Sequence, residues 1–259
     1  INSNTITSSG DKKKTIRNEG TITSLNNSGT ISATYNSNNY GSIHNFSTGT
    51  ITTITNSGTI SSTASYGIEN LGTITTITNT GEITGGSGTG DVDIKNTSGI
   101  ITTLNNSQGA SSSALTYDGK LPTNYNVIVN STSDFGKTTF SDVSGTTNFG
   151  VHSTSTLTGS TTYSSVLSGL SSSEIASGTS GSFVAGSTRN DWTLANSSGN
   201  LWDLVVAADQ DITDDTNDSV SNVKDDVILG FNDLNSVTQV NFANMNTYDC
   251  DLFDKNNIC

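Results

Sequence analysis

The sequence predicts an all-β chain, a right-handed parallel β-helix with a C-terminal amphipathic α-helix. Three observations carry that expectation: a short phrase repeated at a fixed interval, β-branched residues between the repeats, and an apolar spacing too sparse for any core but a stacked one. The phrase is Ile/Leu-x-Asn-x-Gly-x-Ile. Its clean copies begin at Ile16, Leu25, Ile54, Ile68 and Ile77, each with Asn two residues on and Gly four residues on. Three further copies are stretched or frayed: Ile43-Asn45-Gly49-Ile51, Ile94-Asn96-Gly99-Ile101 and Leu104-Asn106-Gly109. They come in pairs starting at Ile16, Ile43, Ile68 and Ile94, intervals of 27, 25 and 26 residues. That is a solenoid period; a propeller blade needs about 40 residues, and the Leu pattern of leucine-rich repeats is missing.

Within each period, segments such as Thr50-Ile51-Thr52-Thr53-Ile54 and Thr73-Ile74-Thr75-Thr76-Ile77 are β-branched almost throughout, which favours strand over helix. Asn-x-Gly bounds them and reads as a corner, because Asn and Gly tolerate the positive φ that other residues resist. Each period therefore reads as strand, corner, strand and a variable return such as Ser32 to Ser42 or Ser61 to Gly67. The segments bury nothing alone. Stacked at roughly 4.8 Å per coil, they align Ile22, Ile51, Ile74 and Ile101 inside and Ser and Thr outside. Asn recurring at one corner is expected to form a coil-to-coil amide ladder, where stacked Asp would repel.

Residues 1–109 hold these regular repeats. Residues 110–208 continue as less regular coils with heavier side chains, and Tyr163, Val166, Leu167, Leu170, Phe183, Trp192, Leu194, Trp202 and Leu204 plug the end of the stack, since an open edge would pair with another chain. From 209 to 247 the pattern changes. Asp209, Asp211, Asp214, Asp215 and Asp218 precede Val220, Val223, Val227, Phe231, Leu234 and Val237, an amphipathic helix with acids at its positive end. Residues 248–259 form a segment bounded by Cys250 and Cys259, which either close a small loop as a disulfide or remain free or intermolecular thiols.

Composition narrows the function classes. A net charge of −13, from 10 Lys plus Arg against 23 Asp plus Glu, repels nucleic acid and anionic membrane surfaces. The run Lys12-Lys13-Lys14 reads as a solvated loop. No apolar stretch approaches the ~18 residues of a spanning helix, and the start at Ile1 reads as a mature or excised fragment.

Three stretches carry a family resemblance: Leu115 to Asn126 (LTYDGKLPTNYN), Thr162 to Leu170 (TYSSVLSGL) and Leu201 to Val206 (LWDLVV). They resemble passenger domains of bacterial autotransporter-like proteins of marine bacteria, and the closing Tyr248 to Cys259 is similar to the approach of such chains to their outer-membrane β-barrel. The resemblance implies a β-helical passenger, a helical linker and a downstream barrel outside this sequence. It also implies an extracellular or cell-surface location at the outer membrane, and carries little about activity, since such passengers share a scaffold and differ in use.

Residue patterns for chemistry are thin, and the sequence assigns no catalytic residue, metal site or cofactor. The repeat-region acids are Asp11, Glu19, Glu69, Glu82, Asp91 and Asp93; Glu19 and Glu82 occupy different slots of the repeat and do not need to converge. His44 and His152 read as exposed, solvated side chains without triad or metal-ligand spacing. Gly85 to Asp93 resembles a calcium-binding nonapeptide with Gly90 at its sixth position, and a single copy reads as a flexible loop. The acidic run from Asp209 reads as helix capping. Thr-x-Thr pairs such as Thr50-Ile51-Thr52 and Thr73-Ile74-Thr75 suggest ice binding, which the unequal periods disfavour. Sequons at Asn26, Asn45, Asn96, Asn130 and Asn196 follow from composition. The leading expectation is a non-catalytic secreted or cell-surface adhesin or structural module that contacts surface glycans, other cells or copies of itself. A self-assembling extracellular filament is the second reading. The third is a polysaccharide-degrading enzyme, with Asp91 and Glu69 as the residues to mutate.

Overall fold

A computed structural model describes residues 1–9, 14–34 and 41–212. The chain divides into two units at Gln210/Asp211, and the description below is of the first. The expected 209–247 helix lies almost wholly outside the described residues, as do Cys250, Cys259, Asp11, Lys12 and Lys13.

The first unit is a parallel β-solenoid. Strand β1 (Thr5–Ser9) precedes three complete coils: β2 (Ile16–Asn18), β3 (Thr21–Asn27) and β4 (Thr30–Thr34); β5 (Ile43–Asn45), β6 (Thr50–Asn56) and β7 (Thr59–Ser62); β8 (Ile68–Asn70), β9 (Thr73–Asn79) and β10 (Glu82–Thr84). Four two-strand coils follow: β11 (Ile94–Asn96) with β12 (Ile100–Asn106), β13 (Leu115–Lys120) with β14 (Asn124–Val127), β15 (Thr138–Ser144) with β16 (Thr147–Val151), and β17 (Thr162–Ser168) with β18 (Ile175–Ser177). The sequence expectation of two strands per period is thus one short in the first three coils: the second corner leads into a third strand before the return.

Three sheets result. The long face stacks β3, β6, β9, β12, β14, β16 and β18. The short face stacks β2, β5, β8, β11, β13, β15 and β17, and the third face holds only β1, β4, β7 and β10. Register delivers the vertical columns. Ile22, Ile51, Ile74 and Ile101 are consecutive partners, as are Ile16, Ile43, Ile68 and Ile94. Ile51, Ile54, Ile74 and Ile77 are fully buried, each worth about 1.5–3 kcal/mol of transfer free energy. Higher in the stack the columns turn aromatic: Tyr117 and then Phe140 continue the short-face column, while Tyr125 and Phe149 continue the second long-face column, that of Leu25, Ile54, Ile77 and Leu104. These larger side chains fill the section that the missing third strand vacates.

Two Asn ladders line the corners. On one, Asn18 donates to Asn45 (2.7 Å), Asn45 to Asn70 (2.8 Å) and Asn70 to Asn96 (2.9 Å). On the other, Asn2, Asn27, Asn56, Asn79 and Asn106 form the same relay. The glycine of the repeat is there for a different reason than expected. Neither it nor the Asn adopts positive φ. Instead, a Cβ on Gly58 or Gly81 would collide with the carbonyl oxygen of the glycine one coil below, so close backbone approach, not a left-handed turn, selects glycine.

The upper end is closed by an antiparallel meander, β19 (Ser180–Ala185), β20 (Thr188–Ser198) and β21 (Leu201–Val206), in which β21 pairs with β17. The Trp202 indole donates to the Leu170 carbonyl (2.8 Å), and Trp192 meets Phe149 edge-on at 5.7 Å. The third face ends differently. In the three-residue β10, Ile83 turns its N–H and C=O upward, and the Gln108 side-chain amide satisfies both, at 2.8 Å and 3.0 Å. One amide thus stands in for the next strand.

Candidate functional site

The point where the third face stops also creates a concavity. Corners of successive coils, Ser57-Gly58-Thr59, Thr80-Gly81-Glu82 and Ser107-Gln108, stack as a floor, held by Thr80 N–H to Asn56 O (2.8 Å), Glu82 N–H to Gly58 O (2.9 Å) and Ser107 N–H to Asn79 O (2.9 Å). Coils above β10 have no third strand, so the loop carrying Ser111 and Ser112 and the turn carrying Asn130 and Asp134 rise beside this floor as a wall. The resulting groove encloses about 400 Å³. Its lining is hydroxyls, amides, backbone and two carboxylates, with no apolar side chain.

The two carboxylates differ in their obligations. Asp134 closes its own turn, accepting from Ser111 Oγ (2.6 Å) and Asn130 Nδ2 (3.0 Å). Glu82 is exposed on the floor, and no side-chain hydrogen bond or ion pair of the described residues engages its carboxylate. The groove therefore offers one uncommitted acceptor among hydroxyl groups held by rigid corners.

A second polar feature runs along the short face, where the middle residues of successive strands form a column Arg17, His44, Glu69, Lys95, Asp118. From His44 upward, basic and acidic residues alternate. His44 Nδ1 pairs with Glu69 Oε2, and Lys95 pairs with Asp118. The expectation of an exposed His44 is corrected: it is 1% exposed, beneath the edge-on ring of Phe46 at 4.0 Å. Its position between two short-face neighbours, and not its sequence context, decides its burial. His152 is half-buried, its Nδ1 bonded to Thr154 Oγ1 (2.8 Å), and desolvation lowers its pKa. Burial lowers that of Lys14 as well, with Arg17 adding to the effect, and raises that of Tyr66.

The remaining acids named from the sequence are dispersed. Glu19 pairs with Arg17. Asp91 accepts the Gly88 N–H (2.9 Å) within its own loop. Asp93 accepts from the Gly85 N–H (2.7 Å) and the Thr116 N–H (2.8 Å); burial raises its pKa against the pull of those hydrogen bonds. Glu69 and Asp91 thus serve separate structural contacts. Among the described residues no group of three or more His, Cys, Asp or Glu gathers at metal-binding distance. The groove was only partly legible in sequence: Ser57-Gly58-Thr59 and Thr80-Gly81-Glu82 share a repeat slot, but nothing marks Asp134 as their neighbour.

No family model matches the chain, and no curated protein or solved structure does.

Proposed function

We propose that this chain is a non-catalytic, extracellular adhesin or structural module of autotransporter-passenger type, and that its groove holds neutral glycans of a cell surface or matrix. The groove carries the reading: a polar trough lined by hydroxyls and amides, with Glu82 free to accept two hydrogen bonds from a vicinal diol. The net charge of −13 and the two groove carboxylates disfavour acidic polysaccharides. Asp134 is committed to its turn, which supports binding over paired-carboxylate hydrolysis. The antiparallel meander at the upper end supports a discrete module over the head-to-tail filament.

A panel of immobilised neutral and acidic glycans tests this. Neutral glycans should retain the chain, and Glu82→Gln should weaken retention about tenfold, on the order of the charge-assisted share of one such contact, with far-UV circular dichroism unchanged. Retention by no glycan, equal retention of the variant, or release of new reducing ends would each sink the proposal.

A further inference from the structure

We infer that the long face is an ice-binding surface, separate from the groove. Two outward columns cross six coils of this sheet. One runs Ser24, Thr53, Thr76, Thr103, Asn124, Asn148; the other, two residues further along each strand, runs Asn26, Thr55, Thr78, Asn105, Asn126, Gly150, with Asn105 only 5% exposed between its neighbours. Between them the buried column of Leu25, Ile54, Ile77, Leu104, Tyr125 and Phe149 points inward, so the outward pairs obey strand alternation. Every partner is in register from β3 to β16 with no bulge.

The unequal periods, which argued against a regular surface in sequence, fall elsewhere. Two residues separate Asn18 from Thr21, but four separate Asn45 from Thr50; the returns from β4, β7 and β10 also differ in length. Each of β3, β6, β9 and β12 is nonetheless seven residues long. The insertions are absorbed at the short-face corner and in the returns, leaving a grid with repeats of about 4.8 Å along the axis and about 6.7 Å along the strand.

Chemistry and charge both fit a lattice of water. The hydroxyls of Thr55, Thr76 and Thr103 have no partner among the described residues, yet their β-branched side chains are stiff at χ1. Such groups hold waters at fixed sites with little ordering cost. Neighbouring rungs are braced from the side, Asn105 Nδ2 donating to Thr78 Oγ1 (3.0 Å) and Asn126 Nδ2 to Asn105 Oδ1 (2.8 Å). Neither column contains an acid or base, although the chain has 23 acidic and 10 basic residues. A neutral, hydroxyl-bearing grid complements neutral ice, whereas an ion would impose its own hydration shell and break the lattice.

The test grows ice slowly in a solution of the whole chain with a bystander protein, measures enrichment of each in the solid, and follows crystal habit under supercooling. The native chain should be enriched and should facet the crystals. The double variant Thr55→Lys/Thr76→Lys should lose at least tenfold enrichment while keeping its circular dichroism and melting temperature, and Glu82→Gln should keep it. Exclusion of the native chain to the bystander's level overturns the inference, as does full enrichment of the folded double-Lys variant; a milder Thr55→Val/Thr76→Val pair reports if the lysines unfold the coil. Loss of glycan retention with ice binding intact separates the groove from this face.

Discussion

Asn70 shows how much one side chain does here. It receives a hydrogen bond from Asn45, and its Nδ2 donates to Asn96 Oδ1 (2.9 Å), Ile100 O (3.2 Å) and Gly72 O (3.3 Å). Asn70→Asp would replace that donor with a buried anion facing three acceptors, and should cost about 3 kcal/mol or more; Asn70→Ala should cost less, about 2 kcal/mol. Denaturant midpoints of the two variants check the order. The same neighbourhood fixes an alkaline response. Asn96 donates to Tyr117 Oη (3.0 Å), which donates to Lys120 O (2.5 Å); Tyr125 Oη bonds Thr138 Oγ1 (2.8 Å). Burial raises the pKa of both phenols, that of Tyr125 to about 12. The unfolded chain ionises near 10, so the folded state holds more protons above that pH. The stabilising contribution is full below about pH 10 and is lost as pH rises through about 12. Stability at about pH 11 should therefore fall below that at about pH 9, tracked by phenolate absorbance during denaturation. The ladder was readable from Asn recurring at one slot; the tyrosine that ends it was not, because its role depends on Asn96 lying directly beneath it.

Among elements, β10 is the instructive one. An edge strand normally leaves a row of unpaired backbone groups, and here one side chain supplies the missing partner. Gln108→Leu should expose Ile83 N–H and C=O without replacement, costing about 1–3 kcal/mol and opening a pairing site on the third face. Gln108→Glu keeps the acceptor for Ile83 N–H but loses the donor to Ile83 O, and should fall between the two. Amide exchange at Ile83 measures both, with faster exchange in the order Leu, Glu, wild type. The long and short faces were legible because Ile-x-Asn and Thr-Ile-Thr-Thr-Ile announce them. The third face is not announced as a strand, since Thr-Ile-Ser at Thr59–Ser61, just where the return begins, is too short for a strand signal. The sequence did mark the end of regular repeats near Gly109, but the groove beside it arises from residues 23 to 28 apart meeting at a corner, which no local pattern encodes.

For the whole molecule, closure at the top decides how the stack behaves in solution. Trp202 is 6% exposed and ties the meander to Leu170 through its indole. Trp202→Ala should cost about 3–5 kcal/mol and increase self-association over the native chain, followed by light scattering; unchanged scattering at equal loss of stability would separate the lock from the lid. The aromatic cluster was visible as heavy side chains after residue 160, yet its antiparallel turn of direction was not, because a hairpin and a coil corner both read as Gly between short strands. One feature of the ladders extends beyond stability. Every side-chain amide in both columns donates toward the later coil, from Asn2 to Asn106 and from Asn18 to Asn96. Bonds aligned head to tail polarise one another, so the two relays act as parallel rows of like-oriented dipoles. The solenoid is in that sense a polar rod, with an electrical sense of up and down that carries no net charge.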